Sequence, residues 1–436
     1  MKVQKVDIEI PLGRRTLKYR FFEILPAVLS FGAIILMFIL SIFSPFLASV
    51  YLLTIITTLL VKAIGIAYRM ITGHIQIEKA QKVDWNERLK DLENAKKMLK
   101  KYGFKTKKEY NFKQHIQNLH DISNDQAKFP KPSEVKNAVI VAAYNEPYEV
   151  IQPTIQSVLD SNYDAKKLLI FLAYEERGGK EIEKTAIRLQ KEFSKDFGAF
   201  EIVKHPKDLP NEVVGKGGNI TFAGRALQKY CEDQKIPFEN VLVTTLDSDN
   251  KPHKEYFASA TYEFIVHEDR KKLSFQPVSL FLNNIWDVPA PMRVVATGNS
   301  FWNIVSTMRP HLLRNFASHS QPLDALVEMN FWSTRTIVED GHQFWRSYFH
   351  FGGDYYVVPV RVPIYQDAVL SETLPKTLKA QFIQLRRWMY GASDIPYVAN
   401  LYFSKNRNVP VVDGLMKLIR LIDGHVTAVF QSPMAA

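Results

Sequence analysis

The sequence predicts a doubly wound, mainly parallel α/β sheet preceded by a pair of membrane-spanning helices. Three observations carry that expectation. Two long apolar stretches follow one another before residue 70. From residue 137 onward, apolar runs of strand length alternate with runs of helical period, the pattern of successive βα units. The strand-like runs end in polar residues, most sharply in Val241-Leu-Val-Thr-Thr-Leu-Asp247-Ser-Asp249, which closes on two acids two residues apart. Such ends belong at the carboxyl edge of an α/β sheet, where ligands bind.

The apolar stretches come first. Ile24 to Phe43 holds no charge and is long enough to cross a bilayer as a helix. After the break Ser44-Pro45-Phe46, a second run from Leu47 to about Tyr68 is interrupted only by Lys62, near enough to its end to snorkel. A signal peptide would be shorter, would carry a small-residue cleavage pattern, and would not be followed at once by a second span. The net charge of +11 could suggest nucleic acid, but residues 1–20 hold six Lys/Arg against two acids and residues 86–113 ten against four. The excess therefore flanks the apolar region. That is the distribution of a membrane protein whose N-terminus and main body are cytoplasmic, with lipid rather than nucleic acid as its partner. The one cysteine, Cys231, excludes an intramolecular disulfide and fits a reducing compartment.

The expected segments are a basic tail (1–20), the transmembrane hairpin (21–70), a charged helical connector (71–132), a catalytic domain (133–400) and a C-terminal amphipathic segment (401–436). In the connector, Trp85, Leu89, Leu92, Ala95 and Leu99 form one helical stripe, suited either to a membrane surface or to packing on the following domain. Pro130-Lys-Pro132 closes the connector. Strands are expected at Asn137 to Tyr144, Leu168 to Tyr174, near Phe200 to Val203, and at Val241 to Asp247. Helices are expected over Val150 to Leu159, Lys180 to Phe193, and from Gly215-Lys216-Gly-Gly-Asn219 to about Tyr230. Met292 to Ala296 reads as strand-like. Val411 to Phe430 carries Asp413, Lys417, Arg420, Asp423 and His425, too many ionisable groups for a span. It is expected at the interface, and the chain reads there as either cut or shortened.

Polar groups follow the strand-like runs at Asn145-Glu146, Glu175-Glu176 and Asp247-Ser248-Asp249. Acids crowded at one edge repel unless a cation joins them, and an oxygen-only set suits Mg2+ or Mn2+. Lys216, in a glycine-rich turn opening a helix, could meet phosphate together with backbone N–H groups. A metal beside a lysine describes a diphosphate site. His205, His253, His311 and His319 show no metal-ligand spacing, and His342 fits a structural role.

The sequence resembles the membrane-bound family-2 glycosyltransferases, the group of cellulose and hyaluronan synthases, from about Asn137 to Gly391. Ala142-Ala-Tyr-Asn-Glu146 resembles their first nucleotide-contacting motif, Lys216 to Asn219 the lysine-asparagine motif, and Asp247-Ser-Asp249 the metal-binding motif. Val338-Glu339-Asp340 is similar to Thr-Glu-Asp, and Gln384-Leu-Arg-Arg387-Trp388 matches Gln-x-x-Arg-Trp. The resemblance implies a GT-A-type doubly wound mixed sheet and a metal-dependent, inverting hexosyltransferase. It further implies a UDP- or GDP-sugar as donor and a saccharide or lipid-linked acceptor. Tyr144, Glu146, Glu175, Lys216, Asn219, Asp247, Gln384 and Arg387 would then bind the donor, Asp247 and Asp249 the metal, and Gly298, Asn299, Ser300, Glu339 and Trp388 the acceptor. Asp340 would be the catalytic base. Glu175-Glu176 stands where the family has paired aspartates, which leaves the nucleobase open. A nucleotidyltransferase of similar topology, or an inactive membrane scaffold with such a domain, are the competing functions.

Overall fold

The computed structural model describes residues 6–103 and 107–435. Two long helices lead, α1 (Leu17–Phe43) and α2 (Pro45–Gln81). Each is long and apolar enough to cross a membrane, and only 6% and 0% of their most apolar windows are buried. The turn is tighter than the expected three-residue break, because Ser44 alone lies outside a helix. Its N–H closes α1 on the Leu40 carbonyl and its hydroxyl accepts the Leu47 N–H, while Pro45 takes the first helical position, where a missing N–H costs nothing. α2 also runs past the expected end near Tyr68. Its last turns pack on the main domain, with Ile77 against Val278, Leu280 and Ile304, and Gln81 Nε2 donating to Tyr365 Oη at 2.9 Å.

The connector stripe is broken at Asn94 into α3 (Trp85–Glu93) and α4 (Ala95–Tyr102), and α5 (Phe112–Asn124) follows. Trp85, Leu89, Leu92 and Ala95 are buried in the same core as the sheet, so of the two settings open to this stripe the structure takes packing on the domain. The βα units then run as the periodicity predicts: β1 (Lys136–Ala143), α6 (Tyr148–Leu159), β2 (Leu168–Glu175), α7 (Lys180–Phe193), β3 (Ala199–His205), α8 (Lys216–Asp233) and β4 (Val241–Asp247). Next come β5 (Lys251–Pro252), α9 (Tyr256–Val266), β6 (Leu273–Leu280), α10 (Ala290–Thr307), β7 (Ser320–Pro322), α11 (Leu323–Glu328) and α12 (Glu339–His350). The chain ends with β8 (Tyr356–Tyr365), α13 (Leu374–Met389), α14 (Asp394–Tyr402) and α15 (Val411–Ala435). One expected element is corrected. Met292 to Ala296 is not a strand but part of α10, where Met292, Ala296, Ser300 and Ile304 recur every fourth residue and form its buried side.

The eight strands form one mixed sheet in the order β3-β2-β1-β4-β7-β6-β8-β5. β3, β2, β1 and β4 are parallel, with Ala142 of β1 opposite Asp247 of β4. β7 pairs antiparallel to β4 and β6, and β5 antiparallel to β8. All eight residues of β2 are buried, as expected of a parallel strand covered on both faces. The order reverses between β1 and β4. The chain leaving β1 goes on to β2 on one side and the chain leaving β4 goes on to the β5–β8 half on the other, which places a crevice at the carboxyl ends of β1 and β4.

Candidate functional site

Asp247 ends β4 at that crevice. The chain turns at once: Asn250 Oδ1 accepts the Asp247 N–H at 2.6 Å while the Asn250 N–H donates to the Asp247 carbonyl at 3.1 Å. This side-chain mimic of a backbone turn holds Asp247 and Asp249 at one edge. Burial, then the charges of Asp247 and Asp367, push the Asp249 carboxyl up to about 7. Burial would raise Asp247 as well, but the Lys216 ammonium and Arg387 reverse this and hold it below the usual carboxylate range.

Lys216 is the first residue of α8, an end of the helix dipole that disfavours a cation. Burial disfavours the charge too, yet Asp247, Asp340 and Glu339 together raise its pKa. Its Nζ lies 2.8 Å from Asp247 Oδ1, 3.7 Å from Asp340 Oδ2 and 4.0 Å from Glu339 Oε1. Gly217 makes that convergence possible. A Cβ there would sit 2.5 Å from the Ser333 carbonyl oxygen, so only glycine lets the segment leading to α12 lie against the start of α8.

Glu339 and Asp340 occupy the first turn of α12, where acids suit the dipole. Burial, then the Asp340 charge, push Glu339 up to about 8. Lys216 lies closer to Asp247 and Asp340 than to Glu339. Asp340 Oδ1 faces His319 Nδ1 at 3.5 Å, and Oδ2 faces Lys216.

The remaining expected residues divide. Asn219 is buried and donates to the carbonyls of Ala143 and Ala173 at 3.2 and 3.1 Å, so its amide tethers the carboxyl ends of β1 and β2. Glu146 accepts the Tyr144 N–H at 2.7 Å, leaving the Tyr144 ring 47% exposed at the crevice. Glu175 is buried in an ion pair with Arg177. Gln384 accepts from Gln381 Nε2 at 3.1 Å. Arg387 is near enough to act on Asp247, and Trp388, 37% exposed, meets the Phe281 ring at 6.2 Å between centroids. Gly298, Asn299 and Ser300 lie within α10, and the Ser300 hydroxyl accepts the Phe281 N–H at 3.0 Å while donating to the Ala296 carbonyl. His342 is buried behind the site, with Nδ1 2.7 Å from Asp394 Oδ1.

Three residues were not marked in the sequence, Asn250, Asp367 and Arg177, and a fourth, His319, was weighed only as a metal ligand. Asn250 follows Asp-Ser-Asp directly and has a turn signal; the others are brought in by segments distant in sequence. Among the described residues, no three or more His, Cys, Asp or Glu side chains form a closed metal cage. The donor set nevertheless fits a divalent cation: Asp247 and Asp249 offer hard oxygens, and the burial and neighbouring charges that together raise Asp249 are what such a cation would offset. The other oxygens would come from a ligand.

No protein-family model matches the chain, and no curated protein matches it. Among solved structures it is similar to the mannosyltransferase PcManGT from Pyrobaculum calidifontis in complex with GDP-Man and Mn2+, at 15% identity over 79% of this chain and 91% of that one, with a TM-score of 0.42. It is also similar to S. aureus TarS, at 11% identity over 67% of this chain and a TM-score of 0.40; the match spans 43% of the TarS chain. The TarS 1-349 piece in complex with UDP matches at 10% identity, over 67% of this chain and 72% of that one, with a TM-score of 0.41.

Proposed function

We propose that the protein is a membrane-anchored, metal-dependent, inverting glycosyltransferase that moves a sugar from a UDP- or GDP-sugar to a saccharide or lipid-linked acceptor. One observation carries the reading: the Lys216 ammonium lies between Asp247 and Asp340. Acids far apart in sequence, one suited to a metal diphosphate and one to a hydroxyl proton, thereby share one crevice at the topological switch point.

In this reading Asp247 and Asp249 hold the divalent ion, which when bound would neutralise charge developing on the leaving diphosphate. Lys216 and Arg387 supply positive charge beside them, and Gln384 a hydrogen bond to the donor. The acceptor hydroxyl attacks the anomeric carbon, its proton passes to Asp340, and the nucleoside diphosphate leaves from the opposite face, so the anomeric configuration inverts. Glu339 would contact a sugar hydroxyl of the acceptor, and Trp388 offers it a ring face. Anchoring is supported by the exposed apolar surface of α1 and α2 and by the basic residues flanking them.

The test is nucleotide release by membranes containing the protein, over a panel of sugar nucleotides with Mn2+ or Mg2+. Turnover of one donor that is abolished in Asp340→Asn, with donor binding retained, is expected. No turnover with any donor and no metal-dependent nucleotide binding would favour the inactive scaffold.

A further inference from the structure

We propose that Arg177 selects the donor nucleobase and that the base it selects is guanine, the donor being a GDP-sugar. The inference rests on the proposed function, of which it narrows the donor.

The sheet sets where the base end of the crevice lies. Strand order there is β2-β1-β4. Ala173 of β2 and Val243 of β4 belong to one core cluster with Ile220, Ala223 and Leu227 of α8. Side chains alternate along a strand, so Glu175 and Asp247 project to that same α8 face. Neighbouring strands are about 4.8 Å apart, which puts the end of β2 about 10 Å across the sheet from Asp247, roughly the reach of a nucleotide from diphosphate to base. The turn after β2 also touches the end of β1. A Cβ on Gly178 would sit 1.7 Å from the Tyr144 carbonyl oxygen, so the turn Glu176–Gly178 lies directly against Tyr144.

What this edge offers a base is a cation and not a carboxylate. Glu175, 6% exposed, is committed to the Arg177 guanidinium. Glu176 turns toward β3, its Oε1 3.7 Å from Lys204 Nζ and its Oε2 accepting the Lys207 N–H at 3.2 Å. Arg177 bonds Glu175 through Nη2, and among the described residues it has no other hydrogen-bond partner. Nη2 carries two N–H groups, one in each of the guanidinium's two forks, so a single bond leaves the other fork whole. The Arg177 side chain is 21% exposed, and the fork is open to a ligand while the buried carboxylate holds the group in place.

Two parallel N–H donors match two adjacent acceptors. Guanine presents O6 and N7 side by side, and arginine on that pair is the commonest base-specific contact in nucleic-acid recognition. Uracil places its N3–H between its two carbonyl oxygens, so a fork meets only one acceptor there. The exposed Tyr144 ring can stack on either base and adds affinity without choosing. The choice falls to Arg177.

The test is calorimetric binding of nucleoside diphosphates alone to the full-length protein in detergent with Mn2+. GDP is expected to bind at least about fivefold tighter than UDP, the lower end of what one bidentate arginine contact discriminates. Inosine diphosphate keeps O6 and N7 but lacks the 2-amino group, and should bind within about threefold of GDP, since the fork does not touch that amine. In 7-deaza-GDP the N7 acceptor is replaced by C–H, and binding should weaken at least about fivefold through loss of a bond to a charged donor. Arg177→Lys keeps a cation beside Glu175 without the fork, and should weaken GDP at least about fivefold while changing UDP by less than about twofold. UDP bound as tightly as GDP, 7-deaza-GDP equal to GDP, inosine diphosphate at least tenfold weaker than GDP, or an undiminished preference for GDP in Arg177→Lys would overturn the assignment. If Arg177→Lys binds neither nucleotide, the three comparisons on the wild-type protein decide. Absence of metal-dependent binding by every nucleotide would overturn instead the function on which the inference rests.

Discussion

At the scale of single residues, Lys216 is placed against both its helix dipole and its burial, and only the surrounding acids keep it charged. Lys216→Met would leave Asp247 and Asp340 facing each other with no cation between them. Nucleotide release by that variant should fall by at least about 100-fold, comparable to losing a principal transition-state donor, as read by steady-state kinetics on membranes. Lys216→Arg should not restore it, because a planar guanidinium does not replace a compact ammonium among three carboxyls. Glu339 gives a prediction of a different kind. Its folded pKa is raised to about 8, so the folded state binds a proton that the unfolded chain releases near pH 4. Its contribution to stability is fully present at low pH and is lost as pH rises from about 4 through about 8, with a slope of at most about 1.4 kcal/mol per pH unit. Melting temperatures measured across that range should fall less steeply with pH in Glu339→Gln than in wild type. Asp247 and Lys216 were legible in the sequence because their residue types sit at recognisable breaks in periodicity, whereas Asp340 entered only through the resemblance of Val338-Glu339-Asp340 to a Thr-Glu-Asp motif. His319 and Asp367 were not legible, since what makes them relevant is the approach of β7 and of the segment after β8 to β4, and no local pattern encodes that.

At the scale of elements, the first twenty residues read as a basic tail, yet Asp7 to Ile10 form an extended strap on the main domain. Ile8 is buried with Trp345, Phe349 and Tyr397, whose hydroxyl donates to the Ile8 carbonyl at 2.7 Å. Arg335 Nη1 donates to the Ile10 carbonyl at 2.7 Å, and Glu9 accepts the Ser333 hydroxyl while lying 3.4 Å from Arg346 Nη2. The strap therefore holds the segment that lies against Gly217 and leads into α12. An extended strap has neither helical nor alternating period over so few residues, which is why the sequence does not announce it. The same ambiguity explains α10, whose short apolar run fits a strand or a helix equally until Pro289 and the four-residue spacing are seen to prevail. Glu9→Ala removes the charged acceptor of the Ser333 hydroxyl and the carboxylate beside buried Arg346, and should cost about 1.5–3 kcal/mol of stability, the usual range for a hydrogen bond to a charged group. Thermal melting checks it. A fall in kcat should accompany the fall in stability, because the same strap steadies the approach to Asp340.

At the scale of the whole molecule, the α/β core and the hairpin were both legible, because each rests on long, repeated periodicity. Their junction was not. α2 is one uninterrupted helix of 37 residues, about 55 Å long at 1.5 Å per residue, against a hydrocarbon thickness of about 30 Å. Under the proposed anchoring, the part of α2 beyond one bilayer thickness is a stem that reaches the sheet and docks on α10. Gly73 is a point of close approach: a Cβ there would meet Ile304 Cγ2 at 2.6 Å and Met308 Cγ at 3.0 Å. Gly73→Leu should force the stem off α10 without touching the apolar surface that faces away from the protein. Overpacking of this kind costs about 1–3 kcal/mol, so the main domain should melt at lower temperature. Membrane attachment should be unaffected, with both wild type and Gly73→Leu remaining in the pellet after high-salt and alkaline washes and leaving it only in detergent. If the variant were released by those washes, the hairpin would be held by its contacts with the domain rather than by the bilayer. If its melting were unchanged, the stem would be a tether and not a part of the packed structure.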